Sequence, residues 1–317
     1  MVEQFRNISI QELDSFATSA SGRQILRVKV RQLGDGSYLS MPVAIISDGS
    51  HSPRMVLVSG QHGNEWNGPW ILHQLTEMVN PDQVHGTLVI MPLANPLAFN
   101  ERSRVAALDG IDLNRTYGTG HPRKPTEHLG RILWDLVFSK TDYLIDLHSA
   151  GPGVYLPFAA APNGKYLDFV RKLNFDFIHT PKSTKADFLV DACQRIGIQT
   201  ALIEVGGGRA LDSEYHQKVT DGLLNVMKAV GILAGDPIKG TEPYVFEHKY
   251  IVSAPCAGFF KPFVKLGQKV RKGDHIGTVT SLLADSGTRI QAPRDGLLLY
   301  LRREPAIEEQ DSIVHII

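Results

Sequence analysis

Two short segments of the chain carry residue types that ligate metals, and each follows an apolar run. In the first, Ser59-Gly60-Gln61-His62-Gly63-Asn64-Glu65, an imidazole and a carboxylate stand three positions apart. On one turn both can reach a single cation. Zinc takes such nitrogen and oxygen ligands and in catalytic sites keeps a position for water. In the second, Asp142-Tyr143-Leu144-Ile145-Asp146-Leu147-His148-Ser149, an apolar run again ends in histidine. Together His62, Glu65 and His148 would make a catalytic zinc triad. Either motif alone is more often structural than functional; the pairing gives them weight. Asp146 reads as a supporting group or as a strand-end cap.

Two further clusters suit a hydrolytic site. Asp109-Gly110-Ile111-Asp112-Leu113-Asn114-Arg115 follows Arg102 and Arg104. A guanidinium binds a carboxylate through two hydrogen bonds and an asparagine amide adds another, so Asn114 and Arg115 could clamp an anionic substrate. The alternative is a solvated loop with capping Asp and Asn. In Ala201-Leu202-Ile203-Glu204-Val205-Gly206-Gly207-Gly208, a glutamate ends an apolar run before three glycines. A partly desolvated carboxylate beside zinc can take a proton from water, although a hydrogen-bonded core acid would look the same.

These clusters need a scaffold that gathers strand ends. Residues 43–46, 55–59, 87–91, 143–147 and 201–204 read as short strands, apolar or β-branched and bounded by Gly, Pro, Asp or Ser. Residues 69–79, 126–138, 163–173 and 213–233 have helical periodicity. Alternation of this kind predicts a layered α/β domain with a largely parallel sheet. Such sheets bind ligands at the carboxyl ends of their strands. That is where His62, Glu65, His148 and Glu204 would sit.

The pattern changes after Gly235-Asp236-Pro237. From residue 241 onward only short β-type runs appear, separated by Gly, Pro and Asp. Residues 254–258 and 292–296 resemble each other, a doubled half-motif like that of the small barrel in biotinyl and lipoyl domains. The expected division is a zinc-dependent catalytic domain over 1–240 and a C-terminal all-β, barrel-like domain over 241–317.

With 317 residues, 43% of them hydrophobic, the chain can bury a large core. Thirty-three basic residues balance 33 acidic ones. No long Lys/Arg run appears, so neither nucleic acid nor an anionic membrane is the expected partner. A small molecule is. The two cysteines, Cys193 and Cys256, form no C-x-x-C pair, which fits a reducing compartment. Residues 1–16 lack the apolar core of a signal peptide, and no run approaches the ~20 apolar residues of a membrane span. The expected location is cytoplasmic, and a homo-oligomer is compatible with the sequence.

Taken in order, Gly60-Gln61-His62-Gly63-Asn64-Glu65, Asp112-Leu113-Asn114-Arg115, Asp146-Leu147-His148 and Ile203-Glu204-Val205-Gly206 resemble the succinylglutamate desuccinylase/aspartoacylase family, within the zinc carboxypeptidase-like clan. The resemblance runs from about residue 20 to the end. It implies a three-layer α/β catalytic domain with a mixed, largely parallel sheet, and one zinc held by His62, Glu65 and His148. It implies Glu204 as general base, with Asn114 and Arg115 on a substrate carboxylate. An arginine upstream of Asp112-Leu113-Asn114-Arg115 should polarise the scissile carbonyl. Spacing assigns this to Arg104, with Arg102 the second choice. Trp66, directly after Glu65, departs from the pattern and bears on pocket shape.

The implied reaction is hydrolysis of an N-acyl amino acid, with Glu204 activating zinc-bound water. A metallocarboxypeptidase acting on small peptides would use the same ligands and the same clamp. A lipoyl-type carrier is excluded, because residues 281–291 contain no lysine. A serine hydrolase is disfavoured by the absence of a G-x-S-x-G elbow.

Overall fold

The computed structural model describes residues 6–19, 21–118, 120–182, 187–283 and 287–317. Strand β1 (Arg6–Ser9) and helix α1 (Leu13–Ser19) precede a long antiparallel hairpin of β2 (Ser21–Gln32) and β3 (Tyr38–Asp48). Then come β4 (Arg54–Ser59), α2 (Asn67–Met78), β5 (Thr87–Met91), α3 (Pro96–Glu101), α4 (Pro125–Leu136) and β6 (Tyr143–His148). Next are β7 (Gly153–Ala160), α5 (Leu167–Arg171), β8 (Phe177–His179), α6 (Leu189–Arg195), β9 (Gln199–Gly206) and α7 (Ser213–Ala229).

At the centre of the sheet, β5, β4, β6 and β9 lie side by side and parallel. Every residue of β4 and β5 is buried, as expected for strands covered on both faces. Along β4 the two faces alternate. Met55 and Leu57 join a core with Ile71, Leu72 and Leu75 of α2 and Val219, Leu223 and Val226 of α7. Val56 and Val58 join a second core with Leu129 and Leu133 of α4 and Leu189 of α6. The domain is thus an α/β/α sandwich. Each fully buried Leu, Ile or Val contributes roughly 1.5–3 kcal/mol relative to exposure.

Residues 163–173 differ from the expected helix. Asn163 and Tyr166 both take positive φ (57° and 60°), so a 3-10 turn over Pro162–Gly164 and the short α5 replace it. Helix α7 stops at Ala229, short of residue 233, and Gly231 (φ 77°) reverses the chain.

Beyond residue 240 the described chain is all β. β10 (Tyr244–Phe246) pairs with β8, and β11 (Tyr250–Ser253) begins the C-terminal strands. β12 (Gly258–Pro262), β13 (Lys269–Val270), β14 (His275–Thr280), β15 (Gly287–Gln291), β16 (Gly296–Arg302), β17 (Ala306–Ile307) and β18 (Ser312–Ile316) follow. β15, β14, β12 and β17 make a four-stranded sheet, while β16, β18 and β11 extend the main sheet beyond β7. These strands enclose their own core, which includes Val252, Phe260, Ile276 and Val314. Among the described residues, no helix is long and apolar enough to cross a membrane.

Candidate metal centre and active site

The buried strand β4 ends at Ser59 and delivers Gln61, His62 and Glu65 into a tight loop before α2. Gly63 is required there: a Cβ would sit 1.9 Å from the Ala98 carbonyl carbon. Strand β6 ends at His148, one strand over. Strand β9 carries Glu204 as the register partner of His148. Past Glu204 the chain turns so closely that a Cβ on Gly207 would lie 1.6 Å from the Gly153 carbonyl oxygen.

His62, Glu65 and His148 are buried, and each offers a ligand atom within 4.8 Å of the others. Glu65 bridges the pair, with Oε1 2.7 Å from His62 Nδ1 and Oε2 3.0 Å from His148 Nδ1. Oε2 also accepts the Ser149 amide. The far nitrogens are backed by carboxylates: His62 Nε2 lies 3.1 Å from Asp112 Oδ1, and His148 Nε2 lies 2.9 Å from Asp146 Oδ2. Asp146 Oδ2 also accepts from Gln61 Nε2 at 2.6 Å.

This arrangement calls for a cation. Carboxylates at both Nε2 atoms make those nitrogens donors. The Nδ1 lone pairs then point at the Glu65 oxygens, which is repulsive unless a proton or a metal ion lies between. The electrostatics of the cluster agree. Burial alone would lower the basicity of His148, yet Asp146 and Glu65 hold its pKa well above the ordinary value. Burial would raise Glu65, yet the two histidines hold it well below the carboxylate range. Two imidazoles and a carboxylate on opposite sides of one point suit a divalent ion such as zinc.

The loop after α3 completes the site. Arg102 caps α3 with φ 55° and is exposed, turning the chain so that Arg104 reaches back. Arg104 Nη2 donates to Asp112 Oδ2 at 2.9 Å, and its Nη1 lies 3.6 Å from Glu65 Oε1. The structure therefore brings Arg104 to the site, while Arg102 makes no described contact there. Asp112 caps the 3-10 turn Leu113–Arg115 by accepting the Asn114 amide. Asn114 Oδ1 accepts the Leu189 amide at 3.0 Å, and its Nδ2 lies 3.2 Å from His148 Nε2. The Arg115 guanidinium stacks 3.7 Å over the Phe188 ring.

A cavity of about 380 Å³ is lined by the seven residues given ligand, catalytic or clamp roles from the sequence: His62, Glu65, Arg104, Asn114, Arg115, His148 and Glu204. Glu204 also lines an adjoining cavity of about 300 Å³ together with Asn114, Phe188, Leu202, His179 and Lys249. Its Oε2 is buried and makes no hydrogen bond among the described residues. Burial holds its carboxyl above the usual range.

Sequence reasoning gave Asp146 only a weak supporting role and assigned none to several other site residues. Asp112 looked like part of a loop, and only folding shows that it backs His62. Asp146 had one usable signal: two positions before His148 on a strand, it faces the same way. Tyr155, Tyr300, Ser312, His315 and Lys249 carried none, since four of the five lie beyond residue 240.

An α/β sandwich that gathers two histidines and a glutamate at the carboxyl ends of its central strands is a protein with a metal-binding triad. The chain belongs to the succinylglutamate desuccinylase/aspartoacylase family. The family model described as the succinylglutamate desuccinylase/aspartoacylase catalytic domain matches residues 51–230. The N-alpha-acetyl-L-2,4-diaminobutyric acid deacetylase of Halomonas elongata is 25% identical over 291 residues, spanning 87% of this chain and 85% of that protein. The product-bound structure of the ectoine utilization protein EutE (DoeB) from Ruegeria pomeroyi superposes with a TM-score of 0.84 at 24% identity, covering 94% of this chain and 96% of that one. A succinylglutamate desuccinylase/aspartoacylase from Rhodobacter sphaeroides gives 0.82 at 21% identity, with the same coverage. Both structures share the fold.

Proposed function

We propose that the chain is a zinc-dependent amidohydrolase that removes the acyl group from an N-acyl amino acid. One observation carries this reading. The His62–Glu65–His148 triad shares a single cavity with Glu204, one of whose buried carboxylate oxygens has no hydrogen-bond partner among the described residues, and with Arg104, Asn114 and Arg115. A ligand set, a base and a carboxylate clamp are the parts that such a hydrolysis needs.

His62, Glu65 and His148 would hold one zinc per chain. When bound, zinc supplies Lewis-acid chemistry for a carbonyl oxygen and for water. Glu204 takes a proton from the attacking water and later gives it to the departing amine. A carboxyl whose pKa is raised by burial suits both halves of that task. Arg104 directs its guanidinium at the scissile carbonyl and stabilises the charge that develops on its oxygen, a contribution of roughly 3–4 kcal/mol for a fixed donor. Asn114 and Arg115 hold the substrate carboxylate.

We assign residues 1–240 to the catalytic domain and 241–317 to a C-terminal domain, read as a lipoyl/biotinyl-like barrel from its doubled half-motif. Tyr300, Ser312 and His315 of that domain line the cavity, which favours small substrates over peptides. The protein is read as cytoplasmic. The N-acetyl-diaminobutyrate deacetylase of Halomonas elongata makes N-acetyl amino acids the first substrates to try. The deciding experiment is a screen of zinc-loaded protein against N-acyl amino acids and dipeptides, with elemental analysis. Deacylation with about one zinc per chain supports the reading. Dipeptide cleavage alone would make the protein a metallocarboxypeptidase, and zinc below a tenth of an equivalent would remove the metal.

A further inference from the structure

Three neighbouring strands set an aromatic row into the cavity wall. Tyr155 on β7 pairs in register with Tyr300 on β16, and Tyr300 pairs with His315 on β18. All three line the cavity that holds Glu204. The Tyr300 ring stacks on His315 with centroids 4.4 Å apart. His315 is clamped at both nitrogens: Nδ1 lies 2.9 Å from the Tyr155 hydroxyl, and Nε2 lies 2.6 Å from Ser312 Oγ.

We propose that Ser312, His315 and Tyr155 form a one-way hydrogen-bond relay that turns the Tyr155 hydroxyl into a donor for a substrate oxygen in the cavity. The proposal rests on the amidohydrolase reading, because an N-acyl amino acid presents carbonyl and carboxylate oxygens to that wall.

The direction follows from counting protons. Burial, with Lys249 and His179 nearby, drops the His315 pKa to about 3, so the ring is neutral. A neutral imidazole has one N–H and one lone pair. One of the two hydroxyls therefore gives its proton to the ring, and the other receives one. If Tyr155 were the giver, the last proton would leave from Ser312. Ser312 is half-buried and lines the same cavity, so its hydroxyl is satisfied in either sense. The Tyr155 oxygen, however, would then turn its lone pairs toward the Glu204 carboxylate whose charge it feels, which is repulsive. In the opposite sense Ser312 donates to Nε2 and Nδ1–H donates to the Tyr155 oxygen. The phenol proton is then free to point into the cavity. That cavity is rich in acceptors: Glu204 on the strand paired with β7, and the substrate oxygens. Lys249, which lies 5.2 Å from the Tyr155 ring centroid, sits over the ring face and leaves the hydroxyl free. Tyr155 is the group that touches substrate; His315 and Ser312 are positioning residues.

The test combines a spectrum with kinetics. Nitrogen-15 histidine NMR of the zinc-loaded protein should show His315 protonated on Nδ1. A proton on Nε2 overturns the relay whatever the activity. Tyr155→Phe keeps the ring and should lower kcat/KM by about tenfold or more, the size of one hydrogen bond to a charged acceptor. His315→Leu should match it. His315→Asn, which can place an amide N–H where Nδ1–H stood, should recover activity that His315→Leu loses, an effect that a merely structural role would not produce. Parent-like kcat/KM in Tyr155→Phe overturns the proposal. A parent protein that hydrolyses no N-acyl amino acid overturns the functional reading instead, and the tautomer spectrum then decides the relay by itself.

Discussion

Asp112 places Oδ1 3.1 Å from Nε2 of His62, a residue fifty positions earlier in the chain. Asp146 stands in the same relation to His148, at 2.9 Å. Each carboxylate fixes its imidazole with Nε2 as donor, so that Nδ1 turns toward Glu65. Carboxylates behind metal-binding histidines set the tautomer and raise the basicity of the ligand. Asp112→Asn keeps the cap on the Asn114 amide but removes the charge. Zinc affinity, measured by chelator competition, should fall about 10–100-fold. An unchanged affinity would mean that Asp112 serves only as the cap.

The ligands themselves should separate cleanly from other histidines. His148→Ala should lose most of its zinc in elemental analysis. His179→Ala should retain it, since His179 stacks on Phe246 and lies outside the triad. Equal zinc in the two variants would place the metal elsewhere.

Glu204 moves protons in the proposed reaction and binds no metal. Glu204→Gln should therefore keep parent-like zinc and substrate affinity while kcat falls near the upper end of the roughly 10²–10⁴-fold range of positioned acid–base groups. Loss of zinc would recast Glu204 as a ligand.

Arg115 should govern the preference for a free carboxylate. Losing a buried guanidinium–carboxylate contact costs roughly 2–5 kcal/mol, and Arg115 is 39% exposed, so the lower end applies. Arg115→Ala should lower kcat/KM at least tenfold, in line with that lower end, and erase discrimination between acid and methyl ester. Arg104→Ala should lower kcat, whereas Arg102→Ala, an exposed helix cap, should leave turnover unchanged. The reverse pattern would exchange the two assignments.

One prediction concerns stability and pH. Arg54 is buried with its side chain 5% exposed, and its Nη1 lies 2.5 Å from Asp14 Oδ1. Lys140 contacts the other Asp14 oxygen at 2.8 Å. Partial burial works against ionisation of Asp14, but hydrogen bonds from Lys140 and Arg54 hold its pKa below the ordinary value. A depressed folded-state pKa adds stability above the unfolded value, about 3.9. That stability is lost as pH falls through the folded value. Asp14→Ala should cost about 1–3 kcal/mol at neutral pH by stranding a buried donor. Denaturant titrations should show the gap from the parent narrowing below about pH 4. A gap that stays constant down to pH 2 would deny the ion pair that role.

Much of the site was legible because its parts are local. A strand that ends in histidine needs only its own apolar run, and the expected strands at 55–59, 87–91 and 143–147 lie within Arg54–Ser59, Thr87–Met91 and Tyr143–His148. Buried central strands are written as continuous apolar segments, since both faces are covered. The spacing of His62 and Glu65 is likewise set by one turn. Strands β1 and β2 at the sheet's edge and β7 between β9 and β16 were not anticipated. Edge and antiparallel strands depend on which partner they find, and no short window of sequence states that.

What tertiary structure alone decided was the company each ligand keeps. The chain's own order of residues marks His62, Glu65, His148 and Glu204, because each sits where a strand gives way to a turn. It does not say that Asp112 will back His62, that Arg104 and not Arg102 turns inward, or that Ser312 and His315 will reach Tyr155 across some 160 positions. The first two of these contacts depend on how the loops after α3 fold over the strand ends. The last arises from sheet order and register, which put β7 between β9 and the C-terminal strands. Such pairings are long-range and cooperative: shifting a strand by one residue sends every side chain to the opposite face.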